Sequence, residues 1–310
     1  MNPAVKFAAR AARALVIPRY RASFLSSLGF YDSLTDEELI RKIYKCFMGR
    51  EIDLDNPQTL CEKLNWLKLY DRRPEYTIMA DKYAVKKFVA DRIGSEHVVP
   101  LLGVWDKFDD IDFDALPEQF VLKCTHDSGG LVVCRDKSSF NKKIARKVIE
   151  QSLARNYYFV FREWAYKDIP RRIIAEQYIP SLGKPESREI KVTCFNGIAK
   201  LNTICKGIAH NLPGKRQNDH YDRNMKRLMF SVVYKNPEVP EKIPEQMPEI
   251  IALSEKLSAG IPQVRVDWYI VDGQIYFGEF TFYTWGGFMR FEPPEWDGIL
   301  GSWLELPDKK

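Results

Sequence analysis

The stretch RVDWYIVDGQIYFGEFT, residues 265–281, puts an arginine, two carboxylates and a threonine on two strand-like runs joined by Asp272-Gly273. Asp-Gly between apolar runs is a strong hairpin signal, because the tight turn needs positive φ at both positions. Side chains two apart in a strand share a face, so Arg265 goes with Asp267 and Glu279 goes with Thr281. The turn lets Asp267 and Glu279 converge. Two carboxylates beside an arginine are poor core material, since unpaired buried charge is costly. They are good ligands for Mg²⁺, which takes oxygen donors and commonly completes its shell with phosphate oxygens. An exposed face on which Arg265 simply pairs with the acids fits the same residues.

A second stretch, FVLKCTHDSGGLVVC at 120–134, sets Lys123 inside an apolar run just before His126, Asp127, Ser128, Gly129 and Gly130. A strand lysine can lay its ammonium along a phosphate chain while the backbone N–H groups of a glycine-bearing turn cap the terminal phosphate. Gly129 and Gly130 allow that close approach. A hairpin whose lysine snorkels to the sheet edge is the other reading. No GxxxxGK[ST] occurs, so this is not a Walker A loop. Further along, Arg188, Lys191, Lys206, Lys215, Arg216 and Arg223 could clamp a carboxylate, or be solvated surface. Trp285, followed by Gly286 and Gly287, could stack on a sugar or pack in the core.

The elements that must hold these residues change character along the chain. Residues 35–94 read as helical: TDEELIRKIYKCF opens on a Thr35/Glu38 capping box, and CEKLNWLKLYD and DKYAVKKFVADRIG repeat apolar residues three and four apart. From 97 the texture turns β-rich, with HVVPLLGVW, QFVLKCT and GLVVCRD, a helix in FNKKIARKVIEQSLARNYY, and the strand RRIIAEQYI. EIKVTCFNG and IAKLNTICKG pair across Asn196-Gly197, and a polar loop, HNLPGKRQNDHYDRNMKR, follows. The helix PEIIALSEKLSAG precedes the 265–281 hairpin. The expected divisions are a basic segment 1–31, a helical region 32–96, a first α+β lobe 97–180 and a second lobe 181–306.

Bulk composition narrows the function. With 45% hydrophobic and 29% charged residues, a 310-residue chain has material for two or three lobes sharing a cleft. Lys and Arg number 47 against 42 acids, but Lys6, Arg10, Arg13, Arg19 and Arg21 all precede the first acid, Asp32. The remainder is neutral, which argues against a nucleic-acid binder, whose basic charge spreads over a folded face. Residues 2–24 read instead as a helix that could touch an anionic membrane, or as a packed terminal helix. Six cysteines without a CxxC pair suit a reducing cytoplasm, at or near the inner face of the membrane. Four histidines without HExxH spacing make a histidine zinc site improbable.

Together these stretches resemble the ATP-grasp superfamily, an α+β fold in which two lobes clasp ATP. The resemblance implies Lys82, in DKYAVKKFVADRI, and Lys123 as phosphate contacts, with HDSGG as the phosphate loop bringing His126, Ser128, Gly129 and Gly130. It implies Glu176, Gln177 and Tyr178, in IIAEQYI, at the adenine edge, and Glu189, in REIKV, at the ribose. It implies Asp267 and Glu279 as Mg²⁺ ligands and Arg265 as the catalytic arginine over the transferring phosphate. The third ligand position, asparagine in most relatives, is Thr281 here. More narrowly, CEKLNWLKLYDRRPEYTIMADKYAVKKFV, FREWAYKDIPRRIIAEQYI and FGEFTFYTWGG are similar to the TupA-like group, associated with teichuronopeptide and surface-polysaccharide assembly. That implies a ligase joining a carboxylate to an amine through an acyl phosphate. The carboxylate would belong to a uronic acid or polysaccharide precursor, and the amine to an amino acid or amino sugar. Arg188, Lys191, Lys215, Arg223 and Trp285 are the substrate-side candidates. A sugar phosphotransferase using the same ATP cleft, or a glycosyltransferase, is the alternative.

Overall fold

In the computed structural model, residues 16–127, 129–179, 188–206 and 216–309 are described. The first half is helical: α1 (Pro18–Ser27), α2 (Asp36–Met48), α3 (Leu60–Tyr70), α4 (Pro74–Ala80) and α5 (Ala84–Ile93). Thr35 starts α2 by accepting from the Glu38 amide while the Glu38 carboxylate accepts from the Thr35 amide, which satisfies two donors the first turn cannot. Thr59 and Glu62 do the same for α3. That box lies just ahead of CEKLNWLKLYD in the sequence.

A four-stranded antiparallel sheet follows, built from β1 (Leu101–Trp105), β2 (Phe120–Cys124), β3 (Leu131–Cys134) and β4 (Ile173–Gln177) in the order β1-β4-β2-β3. Between β3 and β4 run α6 (Lys142–Leu153) and a single turn, α7 (Tyr158–Phe161). The second sheet has β5 (Glu189–Phe195), β6 (Ile198–Lys206), β7 (Gln217–Asp222), β8 (Arg227–Leu228), β9 (Gln263–Val271) and β10 (Gln274–Thr281), ordered β10-β9-β5-β6-β7-β8. Helices α8 (Met247–Leu257) and α9 (Trp296–Ser302) complete the chain.

The hydrophobic cores do not follow the order of the elements. Leu39, Ile43, Leu64 and Val89 from the helices join Val192, Val266, Trp268 and Phe280 from the larger sheet in one core. The smaller sheet has its own, in which Phe120, Leu122, Ile173 and Ala175 meet Ala145 and Ile149 of α6. The N-terminal helices therefore pack as part of the larger sheet's body. That arrangement leaves polar side chains to line the space between the sheets, where a site can form.

One expectation fails here. Part of the stretch read as a polar loop is strand β7, paired with β6 from Leu201↔Asp222 to Lys206↔Gln217. Its polar residues hide the strand pattern because they are satisfied inside. Asp219, wholly buried, accepts from Arg227 Nε at 2.7 Å and from Tyr221 Oη at 2.7 Å. No helix among the described residues is long and apolar enough to cross a membrane.

Candidate functional site

The β9–β10 hairpin turns at Asp272 and Gly273, both at positive φ, as a two-residue turn needs. Gln274 pairs with Val271, and the ladder runs evenly to Phe277↔Trp268. Continued without interruption, it would set Gly278 against Asp267 and Glu279 against Val266, on the face opposite Asp267. A bulge at Gly278 adds one residue, so Glu279 faces Asp267 and Thr281 faces Arg265. The convergence inferred from the turn alone therefore depends on an irregularity that the turn does not reveal. Glycine suits the position: a Cβ there would lie 3.0 Å from Asp267 O and 3.0 Å from the Tyr269 ring. Gly278→Val, whose side chain would meet Asp267 O and the Tyr269 ring, should disrupt the bulge and cut ATP turnover as deeply as Glu279→Gln does. Wild-type turnover in that variant, measured as ADP release, would show that the bulge does not set the site.

Asp267 is fully buried, and each of its oxygens is occupied. Arg265 Nε reaches Oδ1 at 2.6 Å, Arg265 Nη2 reaches Oδ2 at 2.8 Å, and Lys191 Nζ from β5 also donates to Oδ2. Burial alone would raise the Asp267 pKa, but Arg265 and Lys191 hold it below the usual carboxylate value. Arg265 extends further, with Nη2 3.0 Å from Thr281 Oγ1 and 3.8 Å from Glu279 Oε1. Glu279 is the open acid of the group, its side chain 46% exposed. Glu189 is buried beside Lys191, 3.0 Å away, with Tyr269 Oη at 3.4 Å and Arg216 at 3.6 Å; burial raises its pKa. Its oxygens are thus held by cations.

These donors fit a hard cation in part. The set is all oxygen, with Glu279 and Thr281 accessible, while Asp267 can join only when Arg265 turns away. Among the described residues no three His, Cys, Asp or Glu side chains gather around one point. A cation here would take most of its shell from phosphate and water, the habit of Mg²⁺.

On the smaller sheet, Lys123 of β2 pairs with Ile174 of β4, and its Nζ is 2.5 Å from Glu176 Oε2. Lys86 of α5 holds the other oxygen at 2.6 Å. The side chain of Glu176 is thus a buried counter-ion to two lysines, while the residue itself lines the smaller cavity. Burial would push its pKa up, yet Lys123 and Lys86 hold it at about 2. Gln177 and Tyr178 continue to the cavity rim. Lys86, absent from the sequence-based candidates, sits one helical turn after Lys82 in the same segment. Lys82 Nζ donates to Asp127 O, and its amide donates to Thr125 O at 3.1 Å, tying this segment to the glycine turn.

In that turn Asp127 Oδ1 accepts from the Gly130 amide at 3.0 Å and Oδ2 accepts from Ser152 of α6. A Cβ on Gly130 would strike Ser152 Oγ at 2.3 Å and Cys124 Sγ at 2.6 Å, so glycine is required for packing as well as for any approach to phosphate. His126 is a correction to the expected phosphate loop. Its Nε2 faces the carbonyls of Ser152 and Arg155 at 3.1 and 3.0 Å, in a buried position outside both cavity walls, where it fastens the end of α6. Ser128 and Lys215 lie outside the described residues.

Two cavities share this region. One of 480 Å³ lies between the sheets, lined by Val98, Val99, Val121 and Ile179 and by Lys82, Lys86 and Lys123. One of 1310 Å³ is lined by Lys191, Arg216, Arg265, Arg290, Tyr234 and Trp285, among others. Lys82, Asp127, Tyr166 and Glu279 belong to both walls. Trp285 is 52% exposed at φ 53°, an uncommon backbone for a bulky residue. Its strained turn is held from α3, where Lys68 donates to Gly286 O and Asn65 donates to Gly287 O at 2.8 Å. Arg216 stacks over Tyr234, 4.7 Å from the ring centroid.

The remaining basic candidates go elsewhere. Arg188 and Lys206 pair with Glu241 at 2.8 and 2.9 Å, and Arg223 pairs with Glu255 of α8. None of the three lines either cavity, because each meets an acid on its own part of the surface first.

The Glu176 clamp has a testable consequence. Its folded pKa lies below its unfolded one, so its contribution is complete above pH about 4.5 and is lost as pH falls through about 2. Glu176→Gln should cost on the order of 3 kcal/mol at pH 7 and flatten acid unfolding in that window. Identical urea-melt midpoints for the variant and wild type at pH 7 would refute the clamp.

Three solved structures are among those to which the chain is similar. The D-alanine–D-alanine ligase of Bacillus anthracis complexed with ATP is 16% identical, covering 71% of this chain and 56% of its own, at a TM-score of 0.39. The L-amino acid ligase of Bacillus licheniformis is 12% identical, covering 83% and 53%, at 0.41. The RimK domain ATP-grasp protein of Sphaerobacter thermophilus is 11% identical, covering 74% and 69%, at 0.40. The chain thus spans little more than half the length of the first two. No curated protein gives a significant match. The family described as TupA-like ATPgrasp matches residues 62–305, a span that takes in both lysine-bearing segments, the glycine turn and the bulged hairpin; the chain belongs to that family.

Proposed function

We propose that this protein is an ATP-dependent carboxylate–amine ligase working through an acyl phosphate. Its carboxylate substrate is a uronic acid of a bacterial surface polysaccharide or precursor, and its amine comes from an amino acid or amino sugar. The observation that carries this reading is the pair of unlike cavities meeting at Lys82, Asp127, Tyr166 and Glu279. The smaller suits a nucleotide, with the base among valines and the phosphates toward Lys82 and Lys123. The larger suits a sugar acid, with Arg216 and Arg290 for its carboxylate and Trp285 for its ring face.

The chemistry requires two anions to approach, the substrate carboxylate and the γ-phosphate. Arg265, held by Asp267 and reaching toward Glu279, is positioned to offset their repulsion as charge develops. Lys123 and Lys82 steady the phosphate chain from the opposite wall. Glu279 and Thr281 would hold Mg²⁺, which when bound supplies positive charge at the phosphates. The shared wall keeps the acceptor's route separate from the nucleotide's, so the activated carboxylate stays inside the larger cavity.

ADP release should require both a uronic acid and an amine, and Lys123→Ala or Glu279→Gln should lower it by about 100-fold. A phosphorylated sugar formed without an amine would overturn the ligase reading in favour of a phosphotransferase.

The basic N-terminus is proposed to rest on anionic lipid at the cytoplasmic side of the membrane. Residues 1–15 lie outside the described residues, but α1 is packed: Ser26 Oγ donates to Val160 O at 2.6 Å, and Arg19, Tyr20 and Ser23 line the larger cavity. Deleting residues 2–15 should therefore weaken salt-sensitive binding to phosphatidylserine vesicles and spare turnover, whereas deletion through 24 should impair both. Equal vesicle binding by full-length and 2–15-deleted protein at low salt would remove the membrane contact.

A further inference from the structure

Of the acids lining the larger cavity, Glu163 is buried without a partner among the described residues and is left unused by the chemistry above. Glu163 follows α7 and opens the turn Trp164–Tyr166, its carbonyl accepting from the Tyr166 amide at 3.0 Å. It is 5% exposed and lines the larger cavity, and among the described residues its carboxylate makes no hydrogen bond or ion pair. An unpaired buried carboxylate is expensive to keep, and such groups cluster at functional sites.

The groups facing it are few. Lys68 of α3 is the cation near enough to act on it, but that ammonium donates to Asn65 Oδ1 at 2.9 Å, to Phe161 O at 3.0 Å and to Gly286 O. Its three N–H groups are thus taken by neutral acceptors. Tyr166 on the same turn and Tyr283 after β10 are phenols whose pKa is raised first by burial and then by charges that include Glu163. Burial pushes Glu163 up to about 7, against a smaller downward pull from Lys68. Tyr166 lines both cavities, and Glu163 sits three residues before it on the same turn, its carbonyl bonded to the Tyr166 amide.

We propose that Glu163 is the general base that takes a proton from the ammonium of the amine substrate in the larger cavity. This rests on the ligase reading. The arriving R–NH₃⁺ gives one proton to the Glu163 carboxylate. The freed lone pair then forms the C–N bond at the acyl carbon, the bond from that carbon to the phosphate oxygen breaks, and phosphate leaves with the electron pair. The second nitrogen proton leaves with phosphate, and Glu163 returns its own proton to water through the cavity. An α-amino group titrates near pH ~8, so it arrives largely protonated, and a base matched to neutral pH is best suited to it.

The test compares wild type with Glu163→Gln, using ATP, glucuronic or galacturonic acid, and either glycine or hydroxylamine. Hydroxylamine is mostly neutral at pH 7 and traps the acyl phosphate without a base. The variant should form hydroxamate within about 2-fold of wild type but lose about 100-fold in amide formation with glycine at pH 7. That loss should shrink as pH rises toward the amine's own pKa. Equal loss with both nucleophiles, or glycine amide at the wild-type rate, overturns the assignment. Absence of hydroxamate from wild type itself overturns the ligase reading and the base with it. Independently of substrate, the ¹³C carboxyl resonance missing from the variant should titrate near neutrality; a midpoint in the ordinary glutamate range overturns the assignment.

Discussion

The buried carboxylate of Asp267 is the constraint around which the rest of the site is arranged. It sits in the middle of a central strand, beyond reach of water, and such a charge persists only with cations hydrogen-bonded to it. Arg265 supplies a two-pronged contact from two residues earlier on the same strand, and Lys191 supplies a third from β5. Once both cations are committed, their remaining neighbours are fixed. Arg265 can extend only along the face that carries Thr281 and Glu279, and Lys191 draws Glu189 inward. One acid thus sets the positions of two cations and, through them, of the neighbouring acids.

The smaller sheet repeats the device with the signs distributed in the same way. Glu176 is buried between Lys86 and Lys123, one from the helical segment and one from β2. The smaller cavity therefore presents two lysines already held by one buried carboxylate. A phosphate chain entering between them meets charges whose orientation cost has been met in folding, which is the condition for strong electrostatic stabilisation in a dry site.

How much of this could be read from the sequence depends on the range of each interaction. Local signals were legible: the Thr35 capping box, the Asn196-Gly197 and Asp272-Gly273 turns, and the apolar periodicities of α2, α3 and α5 each depend on residues a few positions apart. The lysine before the glycine turn and the acidic hairpin were legible for the same reason. The bulge at Gly278 was not, because it reflects how β10 sits against Asp267 and Tyr269 rather than any turn rule. Nor was the fate of the basic residues: Arg223 and Arg188 are chemically indistinguishable from Arg216 until the fold supplies Glu255, Glu241 and Glu189 as partners. Strand β7 was hidden because its polar side chains find partners inside, so its pattern never alternates.

Lys68 connects the larger cavity to the helical core. It is wholly buried in α3, where burial lowers its pKa, and all its donors go to backbone or amide oxygens rather than to an acid. A lysine satisfied in this way costs stability compared with an apolar residue of its size, so its value lies in what it holds. It fixes Phe161 O and Gly286 O, on two adjoining chain segments that both line the larger cavity. The left-handed turn that exposes Trp285 and the segment that leads into Glu163 therefore share one anchor. The charge at Glu163 is felt by the same ammonium that holds the Trp285 turn, so the acid and the turn depend on one buried lysine.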